Sequence, residues 1–371
     1  MFKGAHHSSR DSAGRNTEAS KKKTLACEFG IVLFAFALVI SLALATVYSW
    51  PRANTLIYFL TLRPALLWFG PILPLFLIAG CLIRRRWAFL GLTLWIVGVG
   101  VCEEVAPLLR LRDAERDRAF DAARATKNPA GSLPADEDRP VGLRVITWNI
   151  ATSPSTIHGA LEQLALLDPD VVFLQECSWG DLLPKALEQV PHFASYSRLQ
   201  RLDNAVLTRF PVVAVSAPDL PERHGHVCSL QVSPGRTLVC VNVHFPLPGV
   251  VTELWPTGGL ERLSGNVSRT QAWIRTLGET ARKHLEGGPV IVAGDINLPG
   301  NYIGLKNGLR GFDDAFLRGG RGWGKTLPSQ SPVSRIDLIY VPAETTTMNC
   351  RALDTVFSDH RPVVADLLLR W

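Results

Sequence analysis

The sequence predicts a layered α/β fold behind a hydrophobic N-terminal anchor, and three observations lead there. Phe29 to Val47, Leu56 to Ile83 and Trp87 to Val101 are apolar stretches interrupted by a single charge, Arg63. Further on, Leu143 to Asn149 and Val171 to Glu176 are apolar runs on either side of a helical pattern at Ile157 to Leu167, which makes a β-α-β unit. The third is Val290 to Ala293, a run of small and β-branched residues that reads as a strand buried on both faces and ends in Gly294-Asp295-Ile296-Asn297.

Taken in order, residues 1–28 are polar and Ser-rich and are expected to form an unstructured cytoplasmic tail. Residues 29–102 are expected to form three transmembrane helices, since a bilayer core takes about 20 helical residues. Pro64, Pro71 and Pro74 would kink the second, so a broken or re-entrant segment is the alternative there. Lys21-Lys22-Lys23 and Arg84-Arg85-Arg86 should both be cytoplasmic, which puts everything after Val101 outside the plasma membrane. A cleavable signal ending at Ala43-Leu44-Ala45 is the rival reading, and it leaves the C-terminal part on the same side.

Residues 103–140 read as a charged helix, Pro107 to Thr126, followed by a Pro- and Gly-containing linker. From 141 to 371 a single folded domain is expected. After the β-α-β unit come short strands at Ala205 to Thr208, Val212 to Ser216, Val227 to Val232 and Leu238 to His244, the last two forming a hairpin. An amphipathic helix at Ser268 to Leu285, the strand at Val290, and strands at Arg335 to Val341 and Val363 to Leu369 complete it.

The net charge of +6 lies outside this domain. Val141 to Trp371 holds 21 Lys and Arg against 21 Asp and Glu, while residues 1–140 hold 18 against 12. A neutral half is not the footprint of a protein built mainly to track phosphate backbones. Seven cysteines show no zinc spacing; Cys228 and Cys240 flank one turn, so a cross-strand disulfide and two small buried hydrophobes both remain open.

Polar residues end strand after strand: Asn149, Glu176, His244, Asp295 with Asn297, and Asp337, with Asp359 and His360 before the last strand. Singly each is a cap or a turn residue. Together they supply the parts of a metal-assisted phosphate hydrolase, and a hard oxygen-ligand set of this kind calls for Mg²⁺ or Mn²⁺.

In Thr147-Trp148-Asn149-Ile150, Leu174-Gln175-Glu176, Asn204 to Pro211, Val241-Asn242-Val243-His244, Gly294 to Asn297, Arg335 to Tyr340 and Ser358 to Pro362, in that order, the sequence resembles the endonuclease/exonuclease/phosphatase superfamily. The resemblance implies a four-layer α/β sandwich, two mixed sheets face to face with helices outside. It also implies Glu176 as principal metal ligand, with Asn149 and Asp359 completing the coordination. Asp295 would then activate water, Asn297 hold a phosphate oxygen, Asp337 pair with His360 as a cationic stabiliser, and His244 assist the phosphate or leaving group. Asn204, Arg321 and Lys325 are the expected substrate contacts, the last two in a loop read as flexible and basic. The pattern Asn242-Val243-His244-Phe245-Pro246 has His where abasic-site endonucleases carry Tyr.

Spans followed by an outward domain of this kind also resemble membrane-bound proteins associated with glycopeptide resistance, which act on lipid-linked pyrophosphates. The expected partners are therefore the membrane and a phosphorylated lipid, presented to the metal by an apolar loop containing Leu254 and Trp255. An extracytoplasmic nuclease and an inactive scaffold are the competing readings.

Overall fold

The computed structural model describes residues 8–49, 70–100, 105–125, 140–177, 180–216, 224–247 and 259–371. The expected linker up to residue 139, the first half of the expected second span, and Leu254 with Trp255 lie outside them. The chain divides into two compact units, one holding the helices up to Gly100 and the other everything described from Val105 onward.

In the first unit a helix runs from Ser8 to Ser49, so helix occupies most of the stretch expected to be unstructured. Its segment Ser20–Thr46 is long and apolar enough to cross a membrane, and it exposes Phe29, Val32, Phe36, Val39 and Leu42 on its outside. Among the described residues it is the one such helix, where three were expected. The helices Ile72–Ile83 and Arg85–Gly100 have 12 and 16 residues, short of the roughly 20 that a span needs. The break comes at Arg84, which adopts an extended conformation (φ −165°). These helices pack on one another through Phe34, edge-on to Phe76 and Trp87 at 5.1 and 5.5 Å.

The second unit is built on two six-stranded sheets. One has the order β11-β12-β1-β2-β4-β3, from β1 (Val141–Asn149), β2 (Val171–Gln175), β3 (Ser197–Arg201), β4 (Asn204–Thr208), β11 (Thr346–Ala352) and β12 (Val363–Leu369). The other has the order β5-β6-β7-β8-β10-β9, from β5 (Val212–Ser216), β6 (Gly225–Ser233), β7 (Arg236–His244), β8 (Val290–Asp295), β9 (Phe312–Asp314) and β10 (Asp337–Pro342). Only β1 with β2 and β7 with β8 pair in parallel, so each sheet is mixed.

Strand periodicity sorts the core into layers. Val145, Phe173, Cys228, Cys240, Ile291, Ile339 and Ala365 meet between the sheets. Their sequence neighbours Ile146, Val172 and Leu174 turn outward onto the helices Ile157–Leu167 and Leu182–Glu188. On the opposite side Val241, Val292 and Leu338 pack under the helix Gly259–His284, with Ile274 and Leu277 facing them. Two sheets between two helical layers is the expected sandwich. Cys228 and Cys240 sit directly opposite each other on β6 and β7, both buried and both free thiols.

The charged helix Ala114–Ala125 belongs to this unit too. Its Phe120 is buried beneath the Arg144 guanidinium, and Arg124 pairs with Asp168 and the fully buried Asp170. The short helix Val105–Leu109 is held as well, since Arg110 donates to the carbonyls of Leu317 and Gly320, and Gly322 N–H to that of Pro107.

Candidate active site

The same alternation that places apolar side chains between the sheets places polar ones at the strand ends. Following Val145 and Thr147 along β1, the next inward position is Asn149; on β7 it is His244 after Cys240 and Asn242; on β8, Asp295 after Ile291 and Ala293. Register does the rest: His244 and Asp337 lie beside Asp295 on its two neighbouring strands. Gly294 allows this closeness. Its φ is 153°, and a Cβ there would stand 1.8 Å from the Val243 carbonyl oxygen.

Beneath the strand ends a buried amide network ties the sheets together. Gln175 Nε2 donates to Asn242 Oδ1 at 2.8 Å, and Asn242 Nδ2 donates to the carbonyls of Ala205 and Leu174 at 2.9 and 3.1 Å. Crossing from one sheet to the other, these bonds fix the spacing of the groups above them.

Asp295 is the hub. It is 1% exposed, and its Oδ2 lies 3.9 Å from His244 Nε2 and 3.8 Å from His360 Nε2. Each imidazole is backed by its own carboxylate: His360 Nδ1 to Asp337 Oδ2 at 2.9 Å, and His244 Nδ1 to Asp203 Oδ2 at 3.0 Å. Burial disfavours the charged form of His360, but Asp337, Asp295 and Asp359 outweigh it and raise its pKa to about 9. His244 is likewise raised, with Asp203, Asp295 and Glu176 overcoming burial. Burial and then the charge of Asp337 push Asp295 up to about 7 against both histidines and Asn149.

Asn149 is fully buried, and its Nδ2 donates to Glu176 Oε1 at 2.8 Å and to Asp295 Oδ2 at 3.1 Å, so it spans the two carboxylates. Its Oδ1 accepts the Ala151 N–H at 3.1 Å. Glu176 follows β2 in the left-handed region (φ 57°), half exposed at the mouth. Asn297 is also left-handed (φ 56°). β8 ends at Asp295, so strand alternation does not align Asn297 with it; the turn does, through Asn297 N–H to Asp295 Oδ1 at 2.9 Å. Its Nδ2 donates to the Phe245 carbonyl at 2.7 Å.

Three expected contacts fall elsewhere. Asp359 is exposed; its carbonyl accepts the Ser329 N–H at 2.6 Å, and its carboxylate lies 3.4 Å from the Ser358 hydroxyl oxygen. Arg321 binds Asn349 Oδ1 at 3.3 Å and Asp117 Oδ1 at 3.4 Å, on the flank where the charged helix docks, so its charge is spent on a structural pair. Lys325 is buried with its ammonium 5.5 Å from the Trp323 ring centre, not in a flexible loop. Asn204 is buried and donates to Asp203 Oδ1 at 2.9 Å, which places it next to the site. Asp203 itself was not anticipated; it sits in the β3-β4 turn, where an acidic residue beside Asn has an ordinary explanation.

The residues fit a divalent cation. Asp203, Glu176, Asp295 and Asp337 face two imidazoles, so with Asp295 ionised two negative charges remain in the cluster even when both rings are protonated. Asp337 Oδ1 is buried with no hydrogen-bond partner among the described residues. Two overlapping sets share Asp295. Asp295, Asp337 and His360 offer ligand atoms within 4.8 Å of one another. Glu176 and Asp295 offer carboxylate oxygens spanned by the Asn149 Nδ2 donor, and an oxygen pair suits a hard cation better than a set that includes an imidazole.

Residues 146–360 match the model of the Endonuclease/Exonuclease/phosphatase family. No curated protein matches the sequence. Among solved structures, the humanized D. rerio TDP2 with 14 mutations superposes with a TM-score of 0.47 at 19% identity, over 61% of this chain and 98% of its own. An endonuclease/exonuclease/phosphatase family protein from Bacteroides thetaiotaomicron gives 0.48 at 16% identity, over 63% and 100%. A mannosyl-6-phosphatase from the same organism gives 0.46 at 16% identity, over 61% and 99%.

Proposed function

We propose that this chain, which belongs to the Endonuclease/Exonuclease/phosphatase family, is a divalent-metal-dependent hydrolase of phosphoric ester or anhydride bonds acting on a phosphorylated lipid at the outer face of a membrane. The observation that carries the hydrolase reading is the convergence of two carboxylate-backed histidines on one oxygen of Asp295.

Asp295, once ionised, takes the proton of an attacking water, and Asn149 holds its carboxylate in place. His360, kept cationic by Asp337, donates from Nε2 to a phosphoryl oxygen as charge builds there. His244, held by Asp203, serves the leaving oxygen in the same way from the other side. A divalent cation held by Glu176 with Asp295, and with Mg²⁺ as the favoured ion, would neutralise the remaining phosphate charge. Asn297, Asn149 and Asp359 are secondary here: the first shapes the turn, the second spans the carboxylates and the third adds to the field on His360.

The lipid half of the proposal is supported by the exposed apolar face of the helix Ser20–Thr46 and by Lys21-Lys22-Lys23 at its start. The neutral charge of residues 141–371 argues against the nuclease alternative. A purified full-length sample assayed with Mg²⁺ against lipid pyrophosphates, phosphodiester lipids and DNA is the test. Hydrolysis of a lipid substrate that is lost in His360→Ala supports the proposal, and a preference for DNA over every lipid ends its lipid half.

A further inference from the structure

A groove of about 500 Å³ opens directly beside the site, within the range of small-ligand clefts. Its wall is bonded to the catalytic cluster: Ser358 Oγ donates to the Asn149 carbonyl at 2.7 Å, and Ala151, also in the wall, donates its N–H to Asn149 Oδ1. Asp359, which separates Ser358 from His360, faces it too. We propose that this groove holds a neutral polyhydroxylated group of the substrate, a sugar or another polyol attached to the phosphate that the site attacks. The proposal rests on the hydrolase reading above and narrows its substrate class.

The lining chemistry argues for this. Ser153, Thr156, Ser329, Ser331 and Gln330 supply hydroxyl and amide groups, with the Asp359 carboxylate among them. Two of the hydroxyls have already spent their proton, Ser329 on the Ser358 carbonyl at 2.7 Å and Ser358 on that of Asn149. They can still accept, as can Asp359, so the groove is richer in acceptors than in donors and rewards a ligand that brings O–H groups of its own. A second face is apolar, from Pro328, Phe357 and Val356, the last 85% exposed, and suits the C–H face of a sugar ring.

Charge decides against the alternatives. Among the described residues no Lys or Arg lines the groove, and Arg361 behind it is committed to the Ser329 carbonyl and to Asp354, both at 2.6 Å. A nucleic acid strand or a second phosphate would meet Asp359 without a counter-charge. A quaternary ammonium would meet that single carboxylate but leave the hydroxyl-rich wall unused.

The test uses the full-length protein with Mg²⁺ and four alcohols, methyl, hexosyl, thymidinyl and choline, each as a phosphate monoester and as a 4-nitrophenyl phosphodiester. In whichever series turns over, kcat/KM for the hexosyl ester should exceed that for the methyl ester by about tenfold or more. Gln330→Ala should shrink that ratio severalfold, and Gln330→Lys should raise the thymidinyl ester relative to the hexosyl ester. Hexosyl and methyl esters within twofold of each other, or a thymidinyl or choline ester in front, would overturn the groove's assignment and leave the hydrolase reading standing. No turnover of any ester in either series would instead strike the hydrolase reading itself, and the groove's role with it.

Discussion

At the scale of single residues, the cluster's titration gives the sharpest expectations. Asp295 is the active base only when ionised, above about 7 as raised by burial and Asp337, while His360 is an active cation only below about 9. The pH profile of kcat/KM should therefore be a bell between those limbs, with a bound divalent cation moving the acidic limb lower because it favours the carboxylate. Asp337→Asn removes a charge that raises both groups, so both limbs should move to lower pH; an alkaline limb that stays in place would separate Asp337 from His360 function. Asp203→Asn should lower kcat through His244 by about tenfold or more while leaving the alkaline limb of His360 where it was. Glu176→Gln should abolish metal-dependent turnover without altering the fold, which circular dichroism with a Mg²⁺ titration would check, since one charge is lost from a hard-cation site at constant volume. Most of this set was legible in the sequence because Asn149, His244, Asp295 and Asp337 end strands whose inward face alternation fixes. Asp203 was not, since it lies in a turn and acts only through a residue 41 positions away. Arg321 misled because a guanidinium in a Gly-rich loop looks free until its pairing with Asp117 is seen.

At the scale of elements, the central strands were readable and the edges were not. β1, β2 and β8 are mostly apolar and, apart from Arg144, buried along their length, whereas β3 (Ser-Arg-Leu-Gln-Arg) lies at a sheet edge with no fully buried residue, so nothing in its pattern distinguishes it from a loop. The same limit hid the role of Ala114–Ala125. Its charges read as solvated, yet Arg124 reaches Asp168 and Asp170, and Phe120, one aromatic among them, is 2% exposed. The helix is part of the catalytic unit, and two consequences follow. Phe120→Ala should lower stability by about 3 kcal/mol or more, read from urea denaturation, because a buried aromatic leaves a cavity. A fragment starting at Val141 should unfold at lower urea than one starting at Val105; equal midpoints would mean that the helix is an ornament on a domain stable without it.

At the scale of the whole molecule, the proposal that Ser20–Thr46 crosses a membrane raises the question of which side the catalytic unit occupies. Its own charge is balanced, so it does not select a side, and the excess of positive charge sits in residues 1–140. Lys21-Lys22-Lys23 lie in the first turn of the candidate span Ser20–Thr46 and should stay at the cytoplasmic end. Parity then carries the argument. With one crossing, the chain after Ser49 is outside; with three, it is outside again after Gly100; only two crossings would return it to the cytoplasm. One helix of sufficient length among the described residues, where three were expected, therefore leaves the proposed orientation unchanged. Arg84-Arg85-Arg86 distinguish the two odd cases, because they lie inside if three segments cross and outside if one does. A reporter enzyme active only outside the cytoplasm should be active when fused after Trp371 in either case. Fused after Arg86, it should be active if Ser20–Thr46 is the sole crossing and inactive if three segments cross. An inactive fusion after Trp371, with a cytoplasmic reporter active at the same point, would reverse the orientation and remove the outer-face lipid from the list of substrates.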